Sequence, residues 1–177
     1  MTTPLWIFGY GSLLWDPQFT PVETCRARLS GWHRSFSMRS IHYRGTEQNP
    51  GLVLALDARE GAACDGVAMR VDPVDEADVM AMLRARELVS DAYLEVRLQV
   101  RCIKGRELDV VTYVIDPQGP QYCDLSLEEQ AQIIAQASGA RGANADYLRN
   151  TTAHLLQMGV EDPDLVWLCA RVGEINA

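Results

Sequence analysis

A glycine-rich segment near the N-terminus is the first place in this sequence where side-chain and backbone types suit chemistry. It reads Phe8-Gly9-Tyr10-Gly11-Ser12-Leu13 and follows the apolar run Leu5–Phe8. Glycines let backbone N–H groups approach a ligand closely, and such groups bind a carboxylate or a developing oxyanion. The same residues also fit a tight turn after a strand, with Ser12 capping a short helix. The local pattern leaves both interpretations open.

Glu87 is the second candidate. It is expected at the C-terminal end of a helix that Asp72-Pro73 opens, where the negative end of the helix dipole disfavours a carboxylate. That field, together with any burial, would raise the pKa of Glu87 toward that of a useful proton shuttle. A residue placed against a local preference is a candidate for function. The alternative is a solvated glutamate paired with Arg84 or Arg86.

A third candidate is the arginine-containing segment Arg39–Gly51, which also carries His42 and Arg44. The whole chain is acidic, with a net charge of −8. A protein of this charge needs locally placed cations to bind an anionic small molecule, and arginine recognises carboxylates with two parallel hydrogen bonds. The alternative is an ordinary polar loop.

Composition excludes several classes of protein. Sixteen Lys+Arg against 24 Asp+Glu argue against a nucleic-acid surface and against anchoring on an anionic membrane. The apolar stretch Leu5–Trp15 lacks a basic leading region and is interrupted by glycines, so we expect no signal peptide. No run of apolar residues is long enough to span a membrane. The expected location is the cytoplasm.

The metal-ligating and redox residues are scattered. Five cysteines without a C-x-x-C pattern fit neither a disulfide framework nor a zinc site, and we interpret them as buried thiols in a reducing compartment. The three histidines show no paired ligand spacing, so no metal is expected. Leu14 stands where a dinucleotide fingerprint needs its third glycine. The sequence thus predicts no cofactor.

The elements that must position these residues are predicted in the order strands, one helix, a hairpin and a helical tail. This order favours an α+β fold, and 177 residues favour a single domain over residues 1–177. Predicted strands cover Leu5–Phe8, Arg26–Met38 (broken by Gly31), Leu52–Leu56, Gly66–Val71, Tyr93–Ile103 and Leu108–Ile115, with a polar loop at Asp57–Asp65 and a turn at Lys104-Gly105-Arg106. Predicted helices run from Asp72-Pro73 to about Arg86 or Glu87, from a capping box at Ser126 to about Ser138, from Asn144 onward, and from Asp162-Pro163 to about Val172.

Taken together, the sequence resembles the ChaC-like γ-glutamylcyclotransferase family, whose members act on glutathione. The resemblance runs in family order over about 150 residues. Its motifs are Trp6-Ile7-Phe8-Gly9-Tyr10-Gly11-Ser12-Leu13-Leu14-Trp15, Gly31-Trp32-His33-Arg34-Ser35-Phe36, His42-Tyr43-Arg44-Gly45-Thr46, Pro50-Gly51, Gly66-Val67-Ala68, Leu83-Arg84-Ala85-Arg86-Glu87, Tyr93 and Arg141-Gly142-Ala143-Asn144-Ala145-Asp146-Tyr147-Leu148.

The resemblance implies a small mixed β-barrel with surrounding helices and a helical C-terminal tail. It implies that the α-amine of a γ-glutamyl group attacks its own γ-carbonyl, which releases 5-oxoproline without a cofactor and, from glutathione, Cys-Gly. It assigns the catalytic proton shuttle to Glu87 and the substrate-binding loop to Ile7, Phe8, Gly9, Tyr10, Gly11, Ser12 and Leu13. Weaker candidates for the glycine end of the substrate are Arg39, Arg44 and Tyr122.

One departure and three alternatives stay open at this point. The family has glycine just before the tyrosine that follows the glutamate, whereas Asp91-Ala92 precedes Tyr93 here. Within enzymes, the alternative is a cyclotransferase for other γ-glutamyl amines or dipeptides. Outside them, it is a non-catalytic relative that binds a γ-glutamyl ligand. The third is an amidase that uses Cys64 or Cys123 as nucleophile with a histidine.

Overall fold

The computed structural model describes residues 3–177. Their contacts cluster into two compact units: unit 1 comprises Met1–Arg34 and Leu56–Gly119, and unit 2 comprises Ser35–Ala55 and Pro120–Ala177. The strands are β1 (Trp6–Gly9), β2 (Glu23–Ser40), β3 (Gly51–Arg70), β4 (Tyr93–Cys102), β5 (Glu107–Ile115), β6 (Ser138–Gly139) and β7 (Gly142–Ala143). The helices are α1 (Glu76–Glu87), α2 (Leu127–Gln136), α3 (Asn144–Gln157) and α4 (Pro163–Ile175). A single domain over the whole chain stays a prediction.

Five strands form a closed barrel in the order β1-β3-β2-β4-β5. Strand β1 is antiparallel to β3, from Trp6 opposite Arg70 to Gly9 opposite Val67, and parallel to β5 where Ile7 faces Val111. All four residues of β1 are buried, as a strand with neighbours on both edges and covered faces requires. The expected α+β class and mixed barrel are confirmed.

The polar loop expected at residues 57–65 is wrong, because β3 runs through it without interruption. Residues 58–61 are exposed to solvent, and Gly61 has a φ of +78°. A strand face that water covers carries the same polar residues as a loop, so composition misidentified this stretch. Gly31 likewise has a φ of +84° but does not break β2.

The helices match the expected elements with shifted ends. The Asp72 carboxylate accepts a hydrogen bond from the Val74 N–H at 3.1 Å, which forms a local turn that delays α1 until Glu76; its end at Glu87 is as expected. The capping box at Ser126 is confirmed by reciprocal bonds with Glu129. None of the helices described for residues 3–177 has both the length and the apolar character that crossing a membrane requires.

Unit 1 is held by one apolar cluster drawn from all five barrel strands and the loop after β1. Its buried members are Trp6, Phe8, Tyr10, Ala27, Leu29, Leu56, Cys64, Ala68, Val100, Cys102, Val110 and Val114. Phe8 and Tyr10 belong to the glycine-rich segment, so the core of the barrel and the candidate binding loop are one packed structure.

Unit 2 is organised around Asn144, the first residue of α3, which is fully buried. Its side-chain amide donates to the Leu52 carbonyl at 2.8 Å and accepts from the Leu52 N–H at 2.7 Å. A Cβ added at Gly51 would lie 2.2 Å from the Arg44 carbonyl oxygen and 2.7 Å from Asn144 Oδ1. Only glycine therefore fits at position 51 beside Asn144. This contact gives a structural reason for the Pro50-Gly51 motif and for the motif that contains Asn144.

The cysteines correct the expectation of thiols throughout, because Cys25 and Cys102 form a disulfide. The odd number of cysteines argued against a disulfide framework, but it still allows a single disulfide bond. Strands β2 and β4 are neighbours at Ala27 and Cys102, and this tertiary pairing brings the two cysteines together. Cys64 and Cys123 are buried thiols, as expected, and Cys169 is a half-buried thiol.

The disulfide joins residues 77 positions apart, so opening it should destabilise the protein by about 4 kcal/mol through the regained entropy of the unfolded chain. In a chain of this size that lowers the melting temperature by about 8–16 °C. We expect dithiothreitol to lower the melting temperature of the wild type by this amount, and Cys25→Ser to start lower and not respond. A wild-type melting temperature that dithiothreitol leaves unchanged would contradict the prediction.

Candidate active site

The glycine-rich loop (residues 9–13) leaves the end of β1 inside unit 1. A Cβ added at Gly66 on β3 would lie 2.4 Å from the Gly9 carbonyl oxygen and 2.7 Å from the Phe8 ring. One added at Gly9 would lie 3.1 Å from the Met69 side chain and 3.3 Å from Leu13. Glycine at both positions therefore permits the close backbone approach that starts the loop.

Three buried side chains fix the backbone at the start of this loop. The Thr112 hydroxyl donates to the Phe8 carbonyl at 2.9 Å, and the Tyr10 hydroxyl donates to the Tyr113 carbonyl at 2.7 Å. Arg34, only 4% exposed, donates to the Tyr10 carbonyl at 3.2 Å and to the Asp65 carbonyl at 2.8 Å. The loop is a rigid element, as a preorganised binding site requires.

The loop continues as a single 3₁₀ turn, Ser12–Leu14. Its hydrogen bonds are donated by the N–H groups of Leu14, Trp15 and Asp16, which bind the carbonyls of Gly11 and Ser12. These bonds do not use the N–H groups of Gly11 and Ser12. Two backbone donors at the start of a turn are suited to an anion, as the sequence suggested.

Glu87 ends α1, and its side chain is 15% exposed. Burial raises the pKa of the Glu87 carboxyl above its ordinary value, and the neighbouring Arg86 guanidinium acts in the opposite direction. The direction agrees with the expectation from the sequence. The interpretation of Glu87 as a solvated surface residue is wrong, although Arg86 does pair with it, with Nε 3.2 Å from Glu87 Oε1.

Arg86 connects Glu87 to the glycine-rich loop. Besides its contact with Glu87, its guanidinium donates from Nη2 to the Ser12 hydroxyl at 3.0 Å and from Nη1 to the Asp16 carbonyl at 2.5 Å. The carboxylate at the end of α1 and the turn after β1 thus share one cation. The two strongest candidates of the sequence analysis lie in one place.

Tyr113 lies within electrostatic range of Glu87 and is bound to a second carboxylate, Glu95. The Tyr113 hydroxyl donates to the Glu95 carboxylate at 3.2 Å, and Arg84 binds Glu95 with two hydrogen bonds of 2.9 Å. Burial raises the pKa of Tyr113 above its ordinary value, and the negative charges of Glu95 and Glu87 raise it further. Tyr113 therefore remains a neutral phenol beside the carboxylates.

The segment between α1 and β4 does not need the glycine that the family pattern has there. Among residues 3–177, Gln18 is the single non-glycine residue with a positive φ, so Asp91 and Ala92 keep ordinary backbone conformations. Ala92 is buried, and its carbonyl accepts from the Asp116 N–H at 2.9 Å. The chain therefore enters β4 without a left-handed residue.

Arg39, Arg44 and Tyr122 lie in unit 2. The Arg39 backbone exchanges hydrogen bonds with Gln121, and Met38 pairs with Tyr122 in an isolated bridge. Arg44 donates to the Ala143 carbonyl at 3.2 Å and stacks over the Tyr147 ring at 5.5 Å. Arg44 thus has a structural role inside unit 2, and a role for any of the three toward substrate stays a prediction.

The cysteine alternative has no support in the geometry. Burial raises the pKa of the Cys123 thiol, which opposes formation of a nucleophilic thiolate, and its Sγ contacts the Phe36 carbonyl. Cys64 is also buried, with its Sγ near the Asp65 carbonyl. Within the part of the chain that the structure describes, no group of three His, Cys, Asp or Glu side chains is placed to hold a metal ion.

Sequence reasoning missed Arg34 and underestimated Arg86. Arg34 stands inside a quoted motif, and an arginine between strand residues that becomes buried must find acceptors, but the sequence does not show that one of them is the Tyr10 carbonyl. Arg86 was considered only as a surface partner of Glu87. Its bond to Ser12 joins residues 74 positions apart, which no local pattern reveals.

Comparison with known proteins gives one consistent result. The sequence profile described as ChaC-like protein matches residues 5–175. The chain is 37% identical over 175 residues to the glutathione-specific γ-glutamylcyclotransferase of Escherichia coli K12, with 98% of this chain and 75% of the relative covered. It is 31% identical over 182 residues to γ-glutamylcyclotransferase 2-3 of Arabidopsis thaliana, with 97% and 89% covered.

A solved structure supports the fold. The crystal structure of a yeast γ-glutamyl cyclotransferase specific to glutathione superposes with a TM-score of 0.87, at 22% identity, with 98% of this chain and 97% of that chain covered. At this identity the likeness concerns the fold alone. The closed barrel and the helices described above are thus shared with a solved enzyme.

The buried position of Glu87 predicts how stability depends on pH. Because its pKa is raised above the ordinary value of 4.5, the folded state binds more protons than the unfolded state between these two values. Stability therefore falls as pH rises through that window, and the ionised carboxylate opposes folding at neutral pH. Each kcal/mol relieved by substitution raises the melting temperature by about 2–4 °C.

We expect Glu87→Gln to melt at a higher temperature than the wild type at pH 7, with the difference shrinking as pH falls through the raised pKa toward 4.5. Thermal melts from pH 4 to pH 8 measure it. Glu107→Gln is the control, since that carboxylate is 49% exposed and pairs with Arg101. Equal or lower melting temperatures for Glu87→Gln over the whole range would show that the carboxylate is well solvated.

Proposed function

The chain belongs to the ChaC-like family, and on that basis we propose that it is a glutathione-specific γ-glutamylcyclotransferase. Glutathione is cleaved to 5-oxoproline and Cys-Gly. The relatives that carry this activity in their names match between 81% and 98% of the chain, including the E. coli enzyme at 37% identity. The same family contains γ-glutamylcyclotransferases named without glutathione, so other γ-glutamyl amines are the second substrate class to test.

The reaction is an internal amide exchange. The α-amine nitrogen of the γ-glutamyl group forms a bond to its own γ-carbonyl carbon, and a five-membered ring closes. The bond from that carbon to the cysteine nitrogen breaks. Two protons leave the attacking nitrogen, which starts as an ammonium and ends as the lactam N–H. Two protons reach the cysteine nitrogen, which starts as an amide N–H and ends as an ammonium, and no water, oxidant or acyl-enzyme takes part. The protein must hold the substrate curled, stabilise the oxyanion and carry the proton.

Glu87 is the residue that suits the proton transfer. Burial raises its pKa, which makes it a stronger base than an exposed glutamate and a competent acid for the return step. Its carboxylate accepts one ammonium proton before attack and gives it to the cysteine nitrogen as the amide bond breaks. The second proton passes from the ring nitrogen to the released amine in the same way. Protonation of the leaving nitrogen avoids an amide anion.

The glycine-rich loop suits the anionic parts of the substrate. The N–H groups of Gly11 and Ser12 are not used by the hydrogen bonds of the turn, and they bind either the α-carboxylate or the oxyanion in this proposal. Ile7, Phe8 and Gly9 are buried and paired in the barrel, so they position the loop. Tyr10 and Leu13 are also buried, and they shape it by packing.

The observation that carries the proposal is the Arg86 bridge between the Glu87 carboxylate and Ser12 of the loop. A protein that only binds a γ-glutamyl ligand needs the loop, but it does not need a largely buried carboxylate fixed beside the loop. Binding of the glycine end by Arg39, Arg44 or Tyr122 stays a prediction. A cytoplasmic location, the absence of a cofactor and the absence of nucleic-acid or membrane partners stay predictions as well.

The test is mass-spectrometric detection of 5-oxoproline and Cys-Gly after incubation with glutathione. We expect both products from the wild type and at least about 100-fold less from Glu87→Gln, because general acid–base catalysis contributes about 10²–10⁴-fold. Glu107→Gln, an exposed carboxylate paired with Arg101, is the matched control and should retain wild-type activity.

The other outcomes each have a meaning. Product from both the wild type and Glu87→Gln at similar rates would place the base elsewhere. If the folded wild type makes no product from glutathione but does so from another γ-glutamyl amine, the reaction stands and the substrate is wrong. If it cyclises no γ-glutamyl amine yet binds one, the chain is a non-catalytic relative.

A further inference from the structure

Each of the three nitrogens of the Arg86 guanidinium contacts a different partner. Nε lies 3.2 Å from the Glu87 carboxylate, Nη2 donates to the Ser12 hydroxyl at 3.0 Å, and Nη1 donates to the Asp16 carbonyl at 2.5 Å. The side chain is 21% exposed. A planar cation with fixed donor directions sets the relative positions of three groups at once, which lysine cannot do.

The contact between Arg86 and Glu87 is unusual for neighbours in a helix, because side chains at i and i+1 point about 100° apart. Here Glu87 is the last residue of α1 and Arg86 turns toward the loop after β1. An arginine that served only to neutralise the end of the helix dipole could stay in solvent. Arg86 instead closes a bridge across unit 1.

We propose that Arg86 is a positioning residue, which ties the Glu87 carboxylate to the turn after β1 so that the base and the anion-binding N–H groups keep one geometry. This role rests on the proposed function. Arg86 acts through Glu87 and Ser12 rather than on the substrate. Its charge and its geometry then have separable effects, because the charge tunes the base and the geometry aligns it.

The charged and titratable groups around Glu87 come from three elements of unit 1, namely α1, β4 and β5. Arg86 of α1 lowers the pKa of Glu87, against the larger raising effect of burial. Tyr113 of β5 is a neutral phenol bound to Glu95 of β4, and Arg84 neutralises Glu95. Arg86 is therefore the cation whose removal acts most directly on the base.

Two variants separate charge from geometry. Arg86→Met keeps a long apolar stem but removes the charge and all three contacts. Arg86→Lys keeps the charge but cannot span the three partners. Arg149→Met is the matched control, because Arg149 forms an exposed ion pair with Asp146 on α3. For each we would measure kcat and KM for glutathione from pH 5 to pH 9, and titrate the Glu87 carboxyl carbon by NMR, assigned with Glu87→Gln.

We expect kcat to fall by about 10–100-fold in both Arg86 variants, since misplacement of a catalytic group by about 1 Å can cost 10²-fold, with KM changed by less than about threefold. The acidic limb of the pH profile and the Glu87 titration should move to higher pH in Arg86→Met and stay near wild type in Arg86→Lys. Arg149→Met should match the wild type in every measurement.

Three results would overturn the inference. An unchanged kcat in both folded variants would make Arg86 merely structural. A KM raised tenfold or more at unchanged kcat would mean that Arg86 binds the substrate itself. An unshifted Glu87 titration in Arg86→Met would show that Arg86 does not act on the Glu87 carboxylate. If Arg86→Met fails to fold, a kcat of Arg86→Lys equal to that of the wild type would contradict the positioning role.

The NMR titration also separates this inference from the proposed function. It needs no substrate, so a wild type that is inactive on every γ-glutamyl amine but whose Glu87 titration shifts in Arg86→Met would refute the proposed function and support the coupling. An active wild type whose Arg86 variants keep the wild-type kcat and Glu87 titration would support the proposed function and refute the coupling.

Discussion

A carboxylate withdrawn from water beside a single guanidinium is the constraint around which unit 1 is arranged. Burial penalises the charged form of Glu87, and Arg86 offsets only part of that penalty. Such a pair is tolerated when the remaining donors of the cation also find acceptors. Ser12 and the Asp16 carbonyl supply them. The turn after β1 is thus part of the electrostatic environment of Glu87 as well as a candidate binding loop.

The turn can serve this purpose because its start is fixed from several directions. Strand β1 lies between β3 and β5, and Gly66 lets β3 approach the Gly9 carbonyl more closely than any side chain would allow. Arg34 donates to the Tyr10 carbonyl where the chain leaves β1. The Tyr10 hydroxyl donates to the Tyr113 carbonyl in β5. These contacts join the apolar core to the candidate site without a flexible connection, so loss of core packing would also displace the N–H groups of Gly11 and Ser12.

The sequence predicted those features that depend on neighbouring residues. Strand β1, the capping box at Ser126 and the end of α1 at Glu87 follow from apolar runs, cap chemistry and periodicity. Residues 57–65 were misassigned because exposure of a strand and exposure of a loop select the same residue types. The disulfide between Cys25 and Cys102 and the bond between Arg86 and Ser12 depend on which strands and loops become neighbours, and that is a property of the barrel. The position of Glu87 at the end of α1 made it a candidate proton shuttle, and the family resemblance assigned it the catalytic role; burial of its side chain cannot be inferred from its own segment.

The balance at Glu87 matters because a single carboxylate must serve twice in the proposed reaction. A base with too low a pKa would leave the ammonium protonated, and an acid with too high a pKa would fail to give the proton back. Burial, the larger effect, raises the pKa of Glu87 and Arg86 lowers it, so a change in how closely the guanidinium is held would shift the pKa. Tyr113 does not compete as a proton donor, because burial and the adjacent carboxylates raise its pKa far above the working range. In the proposed reaction Glu87 holds the proton between the amine and the departing nitrogen, and the proposed Arg86 bridge tunes how readily the carboxylate accepts and releases it.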